Sequence, residues 1–280
     1  MTRIIDSHCH IYPEHIAPKA VEAVDRFYGG LPATPLDGTA GTLLSSGRSA
    51  GISRFVVHSV ATAPSQVENI CRFIAEAVEM SRGAFIGLGA LHPDAGDVRG
   101  DAARIAALGL RGVKIHPDFQ GFEVDSPKAF RLFEACIEFD LPVLVHTGDF
   151  RYDYSNPERT ARVLKALPEL RMIGAHLGGW SVWDRAEKLL SGFENLTVDT
   201  SSSFRWLGKD RSAELIRSFG TDRVMFGTDY PMWPQRWELD FLRSLGFDRE
   251  EEEKILWKNC AGMYRISFDS EEDKADACGQ

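Results

Sequence analysis

The chain has 280 residues, of which 44% are hydrophobic and 26% are charged, and its formal net charge is -9. This composition is that of a globular protein with enough chain for a large core, and it excludes the disordered, collagenous and fibrous classes. The 32 basic residues are scattered along the chain and are outnumbered by 41 acidic ones, so we expect no nucleic-acid partner.

No apolar run approaches the roughly 18 residues that a membrane span needs. Met1 to Arg3 lead straight into Ile4, without the apolar segment of a signal peptide. We therefore expect a cytoplasmic protein with no membrane association. The five cysteines are widely spaced and form no CxxC pair, which argues against a disulfide framework. Cys9 lies between two histidines, and we expect it to be a buried apolar residue because strand alternation turns it away from them.

Eight short apolar runs recur along the chain, at 4–5, 55–57, 85–91, 113–115, 142–145, 172–175, 196–198 and 224–226. Stretches with helical spacing separate most of them. Strands that alternate with helices pair in parallel, and eight such units most naturally close into a barrel. An open doubly wound sheet is the alternative, but the glycine-rich GxGxxG turn typical of it is missing after the first run. We predict an α/β fold with a single (β/α)8 TIM barrel.

The first connection, 13–51, is longer than the others and contains a helical pattern from about His15 to Phe27. It predicts an insertion after strand one that forms a flap over the barrel mouth. The last stretch, 269–280, is acidic, small and polar, without apolar periodicity. We predict a barrel domain over 1–268 and a disordered tail over 269–280.

Seven of the eight histidines follow the downstream end of an apolar run: His8, His10, His58, His92, His116, His146 and His176. The carboxyl ends of parallel barrel strands open on one face, so these side chains are expected to converge there. His8 and His10 are two residues apart and share one face of a strand. Asp229 ends the last run in the same way. Three histidines and a carboxylate suit zinc or a similar divalent ion.

Lys114 and His116 share a face of the fourth predicted strand. A lysine in a barrel mouth is costly unless it is paired or used chemically. The spacing leaves open an ion pair with Asp229 or another carboxylate.

The motifs DSHCH, VKIHP, VLVHTGD, GAHLGG and FGTDYP, with ILWKNCAGMY near the end, resemble those of the amidohydrolase superfamily. The resemblance is to the amidohydrolase-related (amidohydrolase 2) branch, which includes enzymes like aminocarboxymuconate semialdehyde decarboxylase, and it runs from Ile5 to about Ile266. It implies a metal-dependent barrel in which His8, His10 and Asp229 hold the more buried metal. His146 and His176 would complete the site.

The residue roles that the resemblance implies depend on the metal count. In one-metal, decarboxylase-like members the ligands would be His8, His10, His146 and Asp229, and His176 would polarise the substrate or handle protons. In two-metal hydrolases a carboxylated lysine bridges the ions, which here would be Lys114, and His146 and His176 bind the second ion. The well-known decarboxylases lack this lysine, so Lys114 favours hydrolysis. We expect zinc, one or two ions per chain, with manganese as the alternative.

The predicted activity is a metal-dependent hydrolysis, in which activated water attacks an amide, lactone or ester of a small cyclic or aromatic substrate and Asp229 transfers the proton. The alternative is a non-oxidative decarboxylase in which Asp229 or His176 protonates the carbon. A Schiff-base aldolase with Lys114 as nucleophile is disfavoured by the metal-type ligands. A binding scaffold without activity predicts missing ligands, and none is missing.

Four residues at strand ends are candidates for substrate binding: Arg151, Arg205, His116 and Trp233. The segments after the strands are rich in aromatic residues, which suits an aromatic or cyclic substrate. Apolar helix faces outside the barrel are compatible with a homo-oligomer, whose size the sequence does not fix.

Overall fold

The computed structural model describes residues 3–30 and 36–268, in which nine strands all pair in parallel. They are β1 (Ile5–His10), β2 (Arg54–His58), β3 (Phe85–Gly87), β4 (Gly89–Ala90), β5 (Val113–Ile115), β6 (Val143–Val145), β7 (Met172–Gly174), β8 (Leu196–Asp199) and β9 (Val224–Met225). The ladders run β1-β2-β3 and β4 through β9 in order. Only Leu88 separates β3 from β4. Its backbone N donates to Val57 O at 2.9 Å, so β3 and β4 are two halves of one barrel strand.

The last strand returns to the first and closes the sheet. Ser7 N donates to Phe226 O at 2.8 Å, and Asp229 N donates to His8 O at 3.0 Å. His10 N donates to Tyr230 O at 2.7 Å. The predicted (β/α)8 barrel is therefore confirmed, and the open doubly wound sheet is excluded.

The helices lie in the connections between strands and in the segment after β9. They are α1 (Ala17–Phe27), α2 (Ala40–Ser49), α3 (Val67–Met80), α4 (Val98–Ala107), α5 (Pro117–Gln120), α6 (Pro127–Glu138), α7 (Pro157–Ala166), α8 (Trp183–Leu190), α9 (Phe204–Phe219), α10 (Gln235–Arg243), α11 (Arg249–Glu253) and α12 (Asn259–Tyr264). Apolar residues at helical spacing make the buried face, as Val67, Cys71, Ile74 and Ala77 do in α3. None of the described helices is long and apolar enough to cross a membrane.

Strand alternation divides the core into two layers. One set of apolar side chains packs between the strands and the surrounding helices and includes Cys9, as expected for a buried apolar residue. The other set fills the inside of the barrel: Ile5, Val56, Ile86, Leu88, Leu144, Ile173, Ala175 and Met225, with residues of α12 packed beneath. The interior is thus filled with apolar residues at the amino end, and polar side chains are left for the carboxyl end.

The long first connection forms α1 and α2 and brings the end of α1 over the barrel mouth. The Tyr28 hydroxyl lies 3.1 Å from His116 Nε2, and the Tyr28 ring contacts the ring of Trp180 edge to face. The described part of the insertion thus lies where the predicted flap requires. The tail predicted over 269–280 lies outside the described residues, so the division at residue 268 stays a prediction.

Candidate metal centre

The first two candidate ligands come from β1. The register of β1 with β2 shifts between Asp6 and Cys9, and after this irregularity His8 and His10 both point into the mouth. His8 is fully buried, and its Nε2 lies 3.3 Å from His10 Nε2. The two imidazoles therefore present one nitrogen each to the same small space.

Asp229, just after β9, adds a carboxylate to this pair. Its Oδ1 lies 3.4 Å from His8 Nε2 and 3.5 Å from His10 Nε2. Its Oδ2 accepts a hydrogen bond from Ser202 Oγ at 2.5 Å. Ligands held at about 2.0 to 2.2 Å from one ion are separated by roughly 3 to 4 Å, so the three atoms are spaced as ligands of a single ion.

Lys114, on β5, reaches the same space from the opposite side of the barrel. It is 1% exposed, and its Nζ lies 3.2 Å from His8 Nε2. Burial lowers the pKa of Lys114 to about 8, although the nearby Asp199 and Asp229 carboxylates act to raise it. No ion pair joins Lys114 to a carboxylate within 3–30 and 36–268, so the pairing with Asp229 that the spacing left open is not formed.

His146 and His176 face each other beside this group. His146 Nδ1 lies 2.9 Å from His176 Nε2. Both line a cavity of about 20 Å³ together with His10, Lys114, His116 and Asp229. A cavity this small holds about one water or one ion. The structure therefore brings all six predicted metal ligands to one place.

Two of the histidines have their outer nitrogens held by protein groups. His8 Nδ1 lies 2.8 Å from Asp199 Oδ2, and His176 Nδ1 lies 2.9 Å from Ser201 O. Outer partners of this kind fix which nitrogen of a metal-binding imidazole turns inward.

Burial keeps the histidines neutral. It lowers the pKa of His10 to about 3 and, together with the Lys114 cation, lowers the pKa of His8 far below its ordinary value. Burial also lowers the pKa values of His146 and His176. Neutral imidazoles keep the free electron pair that a metal requires.

Several buried polar atoms at the mouth have no hydrogen-bond partner among the described residues. They are His10 Nδ1, both nitrogens of His58, both carboxylate oxygens of Asp118, and His146 Nε2. Buried polar atoms are rarely left without a partner. These free atoms and the set of imidazole and carboxylate donors fit a bound divalent ion and its substrate.

The sequence missed several residues of this site. Asp199 is the last residue of β8 and Ser201 follows it by two, which is the same strand-end position that selects the histidines, so their position was a usable signal. Asp118 follows the VKIHP motif on the short α5, which no periodicity predicts. His58 was expected at the mouth with the other strand-end histidines, and only the predicted ligand set left it out, because none of the family motifs includes it.

One strand-end histidine does not join the others. His92 Nδ1 accepts a hydrogen bond from the Asp94 backbone N at 3.2 Å, and no hydrogen bond or ring contact in the described chain joins it to the other six. The physical reason is that the His92 ring is held by the backbone of its own loop, at Asp94, and not by groups of the mouth. The expected convergence of seven histidines is therefore wrong for this one.

Of the predicted substrate-binding residues, His116 and Trp233 lie closest to the ligands. The His116 ring stacks on both Phe119 and His146 with ring centres 3.8 Å apart. Trp233 is 1% exposed, and its Nε1 donates to Ser202 Oγ at 2.7 Å. Trp233 thus supports the serine that holds Asp229.

The two predicted arginines differ in placement. The Arg151 guanidinium pairs with Asp149 and donates to Phe27 O at 2.6 Å, and it lies over the rings of Tyr28 and Trp180. Arg205 is exposed and lies 5.8 Å from the Trp233 ring centre. Arg151 therefore ties α1 to the mouth, whereas Arg205 lies exposed beside the Trp233 ring.

Three solved structures illustrate the similarity of the fold. An uncharacterized TIM-barrel protein from Bordetella bronchiseptica is 21% identical, with 93% of this chain and 98% of that chain covered and a TM-score of 0.77. The 5-carboxyvanillate decarboxylase from Sphingomonas paucimobilis is 17% identical over 95% and 100% of the two chains, with a TM-score of 0.71. A dihydroxybenzoic acid decarboxylase from Polaromonas sp. JS666, with bound manganese and 2-nitroresorcinol, is 17% identical over 95% and 97%, with a TM-score of 0.71.

The sequence itself matches a family model. The model is described as amidohydrolase, and residues 5–266 match it, which is nearly the whole chain. The match begins at β1 and ends just after α12, so it includes every candidate ligand. The chain therefore belongs to the amidohydrolase family of metal-dependent TIM-barrel enzymes.

Proposed function

We propose that this protein is a divalent-metal-dependent decarboxylase that removes carbon dioxide from a small aromatic or cyclic carboxylic acid without a redox step. The observation that carries the proposal is the spacing of His8 Nε2, His10 Nε2 and Asp229 Oδ1, which lie 3.3 to 3.5 Å from one another. This spacing suits one ion, which is all that the reaction needs. The decarboxylases among the similar structures support it.

The residues that would hold the ion are His8, His10, Asp229 and His146, with Lys114 and His176 at its side. A divalent ion bound there supplies a Lewis acid that orients the carboxylate and a neighbouring oxygen of the substrate. The sequence placed zinc first. A similar decarboxylase structure contains manganese, so we consider manganese and zinc equally, since imidazole and carboxylate ligands accept both ions.

The space for the substrate adjoins these ligands. A groove of about 560 Å³ lies between α1 and α3, and His10 and Asp118 line its inner end. Its walls are mainly apolar and include Phe27, Phe73, Phe119 and Ile70. This volume is within the range of small-molecule sites, and apolar walls suit a ring.

The chain's own residues can complete the reaction. When the bond to the carboxyl carbon breaks, the electron pair stays on the ring carbon, which then takes a proton. Asp229 and His176 line the same small cavity, where one of them would take the acid proton of the substrate's carboxyl group and return it to that carbon. Ser202 Oγ holds Asp229 Oδ2 and Ser201 O holds His176 Nδ1, so both groups keep a fixed direction.

Hydrolysis is the second candidate, and Lys114 is the observation that favours it. Its Nζ lies 3.2 Å from His8 Nε2, next to the candidate ligands, where a carboxylated side chain would add a bridging carboxylate. Asp229 would then take the proton of the attacking water and pass it to the leaving group.

The test is a substrate screen on protein loaded separately with manganese and zinc. Hydroxylated aromatic acids are assayed for carbon dioxide release, lactones and esters for proton release, and amides for release of the free amine. Metal content per chain is measured on the same samples. Carbon dioxide release with one metal per chain supports the proposal. Turnover of lactones or amides alone, with two metals per chain, supports the hydrolase instead.

A further inference from the structure

We propose that His58 is an additional ligand of the metal centre, contributed by β2 beside the histidine pair of β1. This inference rests on the proposed metal-dependent function and extends its ligand set to a strand that the family motifs leave out.

The register of the barrel places His58 at the site. Its Cα is the direct partner of His10 in the parallel pairing of β1 and β2. Val56, two residues earlier, belongs to the apolar layer inside the barrel. Because side chains alternate along a strand, His58 points to the same inner face. It thus forms the next layer above Val56, at the level of the ligands.

The His58 ring packs directly on the two β1 histidines. Its centre lies 4.4 Å from that of His10 and 4.8 Å from that of His8, in edge-to-face arrangements of 85° and 73°. A ligand nitrogen of His58 lies within 4.8 Å of those of His8 and His10. Two nitrogens bound to one ion are separated by roughly 3.3 to 4.2 Å, so a small movement of the ring suffices.

Packing alone does not account for a histidine at this position. His58 is completely buried, and neither ring nitrogen has a hydrogen-bond partner among the described residues. A phenylalanine would make the same edge-to-face contacts without burying two unpaired polar atoms. A ligand role supplies the partner that one nitrogen lacks.

The test compares His58→Phe with His92→Phe in the full chain. The phenyl ring keeps the packing of His58 and removes its nitrogens. His92 is a buried histidine after a neighbouring strand, outside the ligand group, so its variant controls for the loss of one buried imidazole. Each variant is stripped and reloaded with manganese, zinc or cobalt, and affinity is measured by competition with a chelator.

We expect the metal affinity of His58→Phe to fall at least about tenfold, and that of His92→Phe to stay near the wild-type value. X-ray absorption of the zinc form should count one imidazole fewer in His58→Phe, and the visible spectrum of the cobalt form should change. Wild-type affinity and an unchanged imidazole count in a folded His58→Phe would overturn the proposal.

A second variant covers a failure to fold. His58→Gln keeps a polar side chain, and it should show the same loss of affinity and of one imidazole. Wild-type metal binding in that variant overturns the proposal equally. Because these measurements need no turnover, an inactive protein that binds metal through His58 would disprove the decarboxylase and leave this inference standing.

Discussion

Asp199 and His8 form a buried carboxylate–imidazole pair, with Asp199 Oδ2 2.8 Å from His8 Nδ1. Both side chains are completely buried. The other oxygen of Asp199 accepts hydrogen bonds from the backbone N of His176 at 3.1 Å and of Ser201 at 3.0 Å. One carboxylate therefore fixes the direction of His8 and the loop that carries His176, which ties the two sides of the metal centre together.

This pair predicts that Asp199→Asn weakens metal binding. The amide is a poorer acceptor for the His8 Nδ1 proton, so Nε2 is less basic and less firmly aimed. We expect the metal dissociation constant to rise about 10- to 100-fold, as for outer-shell partners elsewhere. Chelator competition measures it. Asp125→Asn, which alters a carboxylate in a surface ion pair, is the control; equal affinities in the two variants would contradict the prediction.

Arg151 predicts a kinetic effect on metal exchange. It donates to Phe27 O and lies over the Tyr28 ring, and Tyr28 closes the mouth above His116. Arg151→Lys loses the planar contacts over the rings. We expect the metal to be transferred to excess chelator several-fold faster than in the wild type, with little change in the metal affinity. Arg205→Lys, at an exposed position on the same rim, should exchange at the wild-type rate. If both variants exchange alike, the end of α1 does not control access.

Most of the barrel and part of the centre were predictable from the sequence because both depend on local patterns. Apolar runs mark the strands, and the residue that follows each run reaches the mouth, which located His8, His10, His146, His176 and Asp229. The same rule failed at His92, whose ring accepts a hydrogen bond from the nearby Asp94 backbone and has no contact with the other histidines of the mouth within the described chain.

The remaining contacts arise between residues far apart in the chain, so no periodicity indicates them. The hydrogen bond between Asp199 and His8 joins residues that are 191 positions apart in the sequence, and Tyr28 and His116 are 88 positions apart. These pairs depend on how the barrel closes and on how the insertion folds back. Both are consequences of packing rather than of local spacing.

Gly148 predicts that the loop after β6 does not tolerate a side chain. Its φ is +77°, and a Cβ there would lie 2.7 Å from the backbone of Gly179, in the loop after His176. The left-handed conformation alone costs an alanine about 1–2 kcal/mol, and the clash adds about 1–3 kcal/mol.

Gly109→Ala is the matched control for Gly148→Ala, because Gly109 has a φ of +73° and an alanine Cβ there would meet no atom within 4 Å. Urea unfolding of the two metal-free variants measures the difference in free energy. We expect Gly148→Ala to be the less stable by about 1–3 kcal/mol. Equal stabilities of the two variants would show that the loops of Gly148 and Gly179 can move apart without loss of stability.

The buried histidines predict that the metal-free protein loses stability in acid. The pKa of His10 is about 3 in the folded chain against an ordinary value of 6.5, because burial disfavours its charged form. Between these values the unfolded chain binds the extra proton, so the free energy of unfolding falls as the pH drops from 6.5 towards 3. Burial lowers the pKa of His8, His58, His116, His146 and His176 in the same sense.

Three buried carboxyl groups act in the opposite direction. Burial raises the pKa of Asp6 and Asp118 to about 7 and that of Glu238 well above its ordinary value, so their contribution is present at low pH and is lost as the pH rises. Six histidines outweigh them below pH 6. We expect the free energy of unfolding, measured with urea, to increase from about pH 4.5 through about 5.2 to about 6.0, where the histidines of the unfolded chain titrate. In His10→Asn the slope of the free energy of unfolding against pH should fall by at most about 1.4 kcal/mol per pH unit, which corresponds to one proton. An unchanged slope would mean that His10 is charged in the folded chain.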